Sequence, residues 1–148
     1  MSEKSTLGDI LIGIETGKSF QTSEIPARPD QLGVLKVSAV SWSEFLPSEA
    51  KALKGEYKPA ESHKVKRDDL LISRANTREL VGAVVLVEDD YPMRLLSDKT
   101  LRLIVDETKA SKEYLLFALR TNQTREHIEH YATGTSDSMR NISQDVIK

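Results

Sequence analysis

Three groups of residues in this sequence have types and spacings that could do chemistry. His127 and His130 stand three apart in Arg125-Glu126-His127-Ile128-Glu129-His130, which puts them on one face of a helix. A zinc hydrolase of the H-E-x-x-H kind needs histidines four apart with a glutamate directly after the first. Here Ile128 holds that position, and the third histidine, His63, lies in an unrelated segment. The spacing therefore predicts a solvated helix face and no metal site. The second group, Pro29-Asp30 and then Glu49-Ala50-Lys51, has the order of the PD…(D/E)xK magnesium nucleases. In those sites two acids hold the cation while the lysine positions or activates water. The geometry requires the second acid and the lysine on a strand. Ser48 to Gly55 shows no strand alternation, so Asp30, Glu49 and Lys51 read as a chance match.

The third group is a set of hydrogen-bonding segments. One holds Lys18, Ser19 and Gln21, a second Arg74, Asn76, Thr77 and Arg78, and a third Thr135, Ser136, Ser138, Arg140 and Asn141. Lys36, Ser38, Lys58, Lys64 and Lys66 add further donors between them. Arginine and lysine can bind guanine edges or phosphates, and asparagine or glutamine can bind adenine. Serine and threonine mostly fix phosphate register. The same residue types also build ordinary turns, so residue type alone leaves both readings open. No G-x-S-x-G elbow, Walker loop or G-x-G-x-x-G is present, nor a glycine-rich loop paired with an Asn-Pro-Pro-Tyr type tetrapeptide. No cofactor is expected.

Composition narrows the classes. With 148 residues the chain is expected to form one domain, 1–148. It has no cysteine, which excludes a disulfide framework, a thiolate nucleophile and cysteine-based zinc sites. Uninterrupted apolar runs such as Ala83 to Val87 are far short of the ~20 residues of a bilayer-spanning helix. The first residues lack a basic patch leading into an apolar core, so a soluble, cytoplasmic protein is expected. Lys and Arg number 21 against 23 Asp and Glu, a net charge of −2, so the whole chain lacks the basic footprint usual in a nucleic-acid binder. Locally the balance reverses. Between Lys51 and Arg78 the bases Lys51, Lys54, Lys58, Lys64, Lys66, Arg67, Arg74 and Arg78 face only Glu56, Glu61, Asp68 and Asp69.

The elements that must position these groups follow from periodicity. Leu7, Ile10, Leu11 and Ile14 have helical spacing, with Thr6 as a cap, and predict a short helix. Gly17 to Gln31, with Pro26 and Pro29, reads as a loop. Leu35, Val37 and Ala39 alternate with Lys36 and Ser38, which predicts a half-buried strand over Gly33 to Trp42. Ser43 to Asp68 reads as irregular. Leu70 to Ser73 and Val81 to Val87 read as neighbouring strands across Arg74 to Leu80, and Leu101 to Val105 as another. Ser111 to Ala132 reads as one long helix, with Tyr114, Phe117, Ala118, Ile128 and Tyr131 as an apolar stripe, stopped by Gly134. Thr135 to Ser143 reads as a loop. The class is α+β, with a mixed or antiparallel twisted sheet, long loops and one long C-terminal helix.

Ordered along the chain, several short motifs together resemble a known family. They are Leu7-Gly8-Asp9-Ile10 with Gly17, then Gly33-Val34-Leu35-Lys36-Val37-Ser38-Ala39-Val40, and Phe45 with Glu49-Ala50-Lys51. Next come Asp68-Asp69-Leu70-Leu71-Ile72-Ser73-Arg74-Ala75-Asn76, Val81-Gly82, and Ala132-Thr133-Gly134-Thr135-Ser136 with Asn141-Ile142-Ser143. The set resembles the target recognition domain of type I restriction-modification specificity subunits. No single motif is diagnostic; the order across nearly the whole chain is.

The resemblance implies a non-catalytic reader of double-stranded DNA. A complete specificity subunit is similar to two such domains separated by paired spacer helices, each reading one half of a split target. Methyltransferase subunits, and through them restriction subunits, are the implied partners. On that reading the chain is one half, with the spacer helix and second domain absent. The Glu49-x-Lys51 pair is then in a non-catalytic loop. Because related domains read different sequences, Arg74, Asn76, Gly134 and Asn141 are expected to contact phosphates or shape loops. Base readers are expected outside the pattern, among Lys18, Gln21, Lys58, Lys64, Lys66, Arg78 and Arg140. A compact chain of this length has a radius of gyration of about 15 Å, which at ~1.7 Å of axis per phosphate charge faces roughly one duplex turn. The alternative is a protein-interaction domain whose basic segment binds an acidic partner.

Overall fold

The computed structural model describes residues 11–17, 22–41, 44–53, 60–76, 82–121, 133–136 and 139–141, with 75–76, 133–136 and 139–141 given by their backbone pairing. Its strands are β1 (Leu11–Glu15), β2 (Thr22–Pro26), β3 (Gly33–Leu35), β4 (Ala50–Leu53), β5 (Lys64–Val65) and β6 (Leu70–Ser73). The series continues with β7 (Ala75–Asn76), β8 (Val84–Leu86), β9 (Tyr91–Leu95) and β10 (Thr100–Val105). A helix, α1 (Lys112–Leu119), precedes β11 (Thr133–Ser136) and β12 (Met139–Asn141). They form a four-stranded sheet in the order β1-β10-β6-β8, a five-stranded sheet β2-β4-β3-β9-β5 and a three-stranded sheet β11-β12-β7. All pairs are antiparallel except β3 with β9. The class is α+β, as the sequence implied.

The four-stranded sheet is the middle layer. Leu70 and Ile72 of β6 lie with Leu101, Leu103 and Val105 of β10 against Leu115 of α1. Leu71 and Val85 face the other way and pack with Leu35, Val40, Val65 and Leu96 of the second layer. Strand β6 is therefore buried on both faces, which is why it reads as an unbroken apolar run.

Several local expectations need correcting. Leu11 and Ile14 lie on a strand, not a helix: they face Val105 and Leu103, and a bulge between Leu11 and Gly13 throws Ile12 outward. One extra residue turns an even strand spacing into the three-residue spacing of a helix. The strand at Gly33 stops at Leu35 and gives way to a 3-10 turn at Val37–Ala39. The supposed loop at 17–31 contains β2, and the supposed irregular stretch contains β4, where Ala50 and Ala52 point inward. Helix α1, capped by Ser111 accepting from the Tyr114 N–H at 3.1 Å, closes at Arg120, and 122–132 of the predicted helix lie outside the described residues. Leu115 is its buried residue, while Tyr114 and Phe117 of the predicted stripe are 61% and 73% exposed, and Ile128 and Tyr131 lie outside the described residues. Gly134 sits in β11, and 135–136 and 139–141 of the expected loop belong to β11 and β12.

Candidate nucleic-acid interface

Antiparallel pairing dictates which turns share an end of the molecule. Strands β1 and β6 flank β10, and both run against it, so their C-terminal ends lie at its N-terminal end. Glu15 stands opposite Arg102, and Ser73 opposite Thr100. The segments leaving β1 and β6 therefore emerge on either side of the turn Ser97–Lys99, which joins β9 to β10. The Gly17 N–H donates to the Ser97 carbonyl at 3.1 Å, and the Arg74 N–H to the Lys99 carbonyl at 2.8 Å. Just beyond Arg74, β7 pairs with β12, with Asn76 opposite Arg140 and Ala75 opposite Asn141. The described parts of the three hydrogen-bonding segments, Gly17, Arg74 to Asn76 and Arg140 to Asn141, are thus tied to one end of the molecule.

The turn itself is internally braced. Ser97 N–H donates to Thr100 Oγ1 at 2.8 Å, the two hydroxyls lie 3.1 Å apart, and Lys99 N–H donates to Ser97 Oγ at 3.1 Å. Arg74 Nε donates to the Asp98 carbonyl at 2.9 Å, while its guanidinium lies 4.0 Å from the Asp98 carboxylate. A Cβ on Gly17 would sit 1.9 Å from the Leu96 carbonyl oxygen, so only glycine permits the approach of β1's end to the turn.

The remaining described candidates are placed differently. Lys64 begins β5, opposite Leu95, and binds Glu61 at 2.7 Å. That hydrogen bond, with the Lys64 charge, holds the exposed Glu61 carboxyl below its usual range. Lys66 is exposed but precedes β6, and so stands at the end of that strand away from Arg74. Lys36 pairs with Glu49 at 3.5 Å, and the Ser38 hydroxyl is buried without a partner among the described residues. Asn76, Thr135, Ser136, Arg140 and Asn141 are placed by strand pairing. Lys18, Ser19, Gln21, Lys58, Thr77, Arg78 and Ser138 lie outside the described residues, as do His127 and His130.

The nuclease triad does not assemble as three free groups. Lys51 does lie on a strand, contrary to the sequence reading, because its neighbours Ala50 and Ala52 supply the inward face. Yet Asp30 pairs with Arg28, Glu49 with Lys36 and Lys51 with Glu24. Among the described residues no three His, Asp or Glu side chains are grouped to hold a metal.

No known family profile matches the sequence. The chain is 29% identical over 143 residues to the specificity subunit of the type I restriction enzyme EcoEI from Escherichia coli, which covers 96% of this chain and 24% of that protein. The chain thus spans about a quarter of the curated relative's length. Its fold matches a crystal structure of the S subunit of a type I restriction-modification system from M. genitalium. That match has a TM-score of 0.59 at 14% identity and covers 99% of this chain and 32% of the other. The resemblance to a specificity-subunit recognition domain holds in sequence and in fold.

Much of the pattern that carries this specificity-subunit likeness has a structural explanation. Gly17 and Gly33 leave no room for a Cβ; at Gly33 it would meet Ala27 at 2.5 Å. Asp68 and Gly82 adopt positive φ of 70° and 80°, which aspartate tolerates better than most residues and glycine adopts freely. Asp69 is buried against Arg102 at 3.0 Å and accepts from the Lys66 N–H at 2.7 Å. Two arginines the sequence reading passed over are likewise architectural. Arg102, 5% exposed, also donates to the Ser62 and Lys64 carbonyls. Arg94, 4% exposed, donates to the carbonyls of Ala27, Arg28, Gln31, Pro47 and Met93. Burial pushes the Arg94 guanidinium below its usual pKa. Arg94 also backs a cleft of about 370 Å³ lined by Ala27, Pro29, Pro47, Tyr91 and Met93. A buried cation has no simple signal in one sequence. Pro92 and Arg94 interrupt what is in fact strand β9.

No described helix is long and apolar enough to cross a membrane.

Proposed function

We propose that this chain is a non-catalytic DNA-recognition domain of a type I restriction-modification specificity subunit. It binds double-stranded DNA and reads one half of a bipartite target in the cytoplasm. Partner methyltransferase subunits, and restriction subunits through them, perform the chemistry, so the domain itself needs no cofactor.

One observation supports this reading: Gly17, Arg74 to Asn76 and Arg140 to Asn141, which belong to three segments rich in Lys, Arg, Ser, Thr, Asn and Gln, are anchored at the same end of β10. Hydrogen-bonding side chains displayed from turns on a rigid sheet suit a surface that must read base edges and hold phosphates together. The likeness to specificity subunits supports the same conclusion from a separate direction.

Enrichment of random duplexes by the chain, followed by filter binding at low and moderate salt, tests the proposal. The expected result is a preferred site of a few base pairs and affinity that falls linearly with salt on a log–log scale. Absence of salt-dependent retention on every duplex would overturn it in favour of a protein-interaction domain binding an acidic partner.

A further inference from the structure

The turn at the centre of the proposed reading end carries a cation that no motif marked. Lys99 is exposed, and its own carbonyl anchors the β6 segment two residues after Ser97 anchors the β1 segment. Only its main chain takes part in the turn. Its N–H donates to Ser97 Oγ, and its carbonyl accepts from the Arg74 N–H. Its one acidic neighbour within the turn, Asp98, is engaged by Arg74 through both carbonyl and carboxylate. The main chain beneath Lys99 is therefore fixed by a braced turn, and the adjoining Asp98 carboxylate faces Arg74.

Resting on the proposed DNA-reading role, we propose that Lys99 binds a DNA phosphate and that the β9–β10 turn is a fourth element of the reading surface. A lysine ammonium is a compact point charge suited to phosphate oxygens. The rigid backbone beneath Lys99 fixes where that charge falls relative to the flanking segments. Such a contact sets register and carries no base information. Lys109 supplies the matched control, because it follows Val105 and stands beyond the other end of β10, about 20 Å along a six-residue strand.

Lys99→Ala keeps every main-chain bond of the turn and should fold. Its affinity for duplex DNA is measured against salt beside wild type, Lys99→Arg and Lys109→Ala, using the enriched duplex and an unrelated one. The log–log salt slope of Lys99→Ala should shrink by about 0.9 on both duplexes. Over 50–200 mM salt that is a loss of affinity roughly threefold smaller than wild type shows. Lys99→Arg should keep the wild-type slope, and Lys109→Ala should match wild type. An unchanged slope in Lys99→Ala, with wild type still salt-dependent, overturns the inference and leaves the DNA-reading role standing. An equal drop in Lys109→Ala, or a changed base preference in Lys99→Ala, also overturns it. If wild type itself shows no salt-dependent duplex affinity, the DNA-reading role fails and the inference fails with it.

Discussion

Arg74 and Arg94 both donate to main-chain carbonyls, yet they stand in opposite settings. Arg94 lies in the seam of the five-stranded sheet, 4% exposed, with donors directed at five carbonyls of the 27–31, 47 and 93 segments. Arg74 stands where the sheet ends, its side chain 32% exposed, with Nε on the Asp98 carbonyl. The cleft beside Arg94 is a concavity of about 370 Å³, but its walls are mostly apolar and its cation is already saturated. Beside Arg74, Gly17, the Ser97–Lys99 turn and the β7–β12 pair meet at one strand end. The difference teaches that a positive side chain near a concavity is no evidence of ligand binding until its donors are accounted for.

Substitutions at the two places should separate stability from DNA affinity. The largest effect is expected from Arg94→Ala, which strands several carbonyls at once. Unfolding in denaturant should show a loss of about 3 kcal/mol or more, with the salt slope of DNA binding by the folded fraction unchanged. A changed slope would blur the distinction between the seam and the reading end.

Gly17→Ala comes next. Its Cβ would collide with the Leu96 backbone, at a cost of about 1–3 kcal/mol. Because the displaced chain leads into Lys18, Ser19 and Gln21, the fractional loss of DNA affinity by the folded protein should be pronounced. Arg74→Ala is the mildest of the three. Loss of one hydrogen bond to a carbonyl should cost about 0.5–1.5 kcal/mol, and affinity for all duplexes should fall alike. If competition between duplexes showed a changed base preference instead, Arg74 would be a base reader and its role as a turn anchor would be secondary.

How far the sequence disclosed this arrangement depends on which physical signal each element carries. Strands β6, β8 and β10 were legible because burial on both or most faces leaves dense apolar runs. Strand β1 was misread because a bulge at Ile12 counterfeits helical spacing. Strand β4 escaped because its inward residues are alanines, which register weakly beside two charged neighbours. Strand β9 escaped because a buried arginine and a proline break its pattern. The polar composition of the candidate interface was readable, and its convergence was not. Convergence follows from β1 and β6 flanking β10, a long-range pairing that no local window reports. Lys99 went unnoticed for the same reason, since its position matters only once both neighbours of β10 are known.

Backbone amide shifts of the chain, followed by NMR during titration with the enriched duplex, test the central claim most directly. The largest changes are expected at Gly17, Arg74, Asn76, Asp98, Lys99 and Arg140, with Asp106 to Lys109 and Lys112 to Leu119 unmoved. Largest changes on α1, or around the Tyr91 to Arg94 cleft, would contradict it.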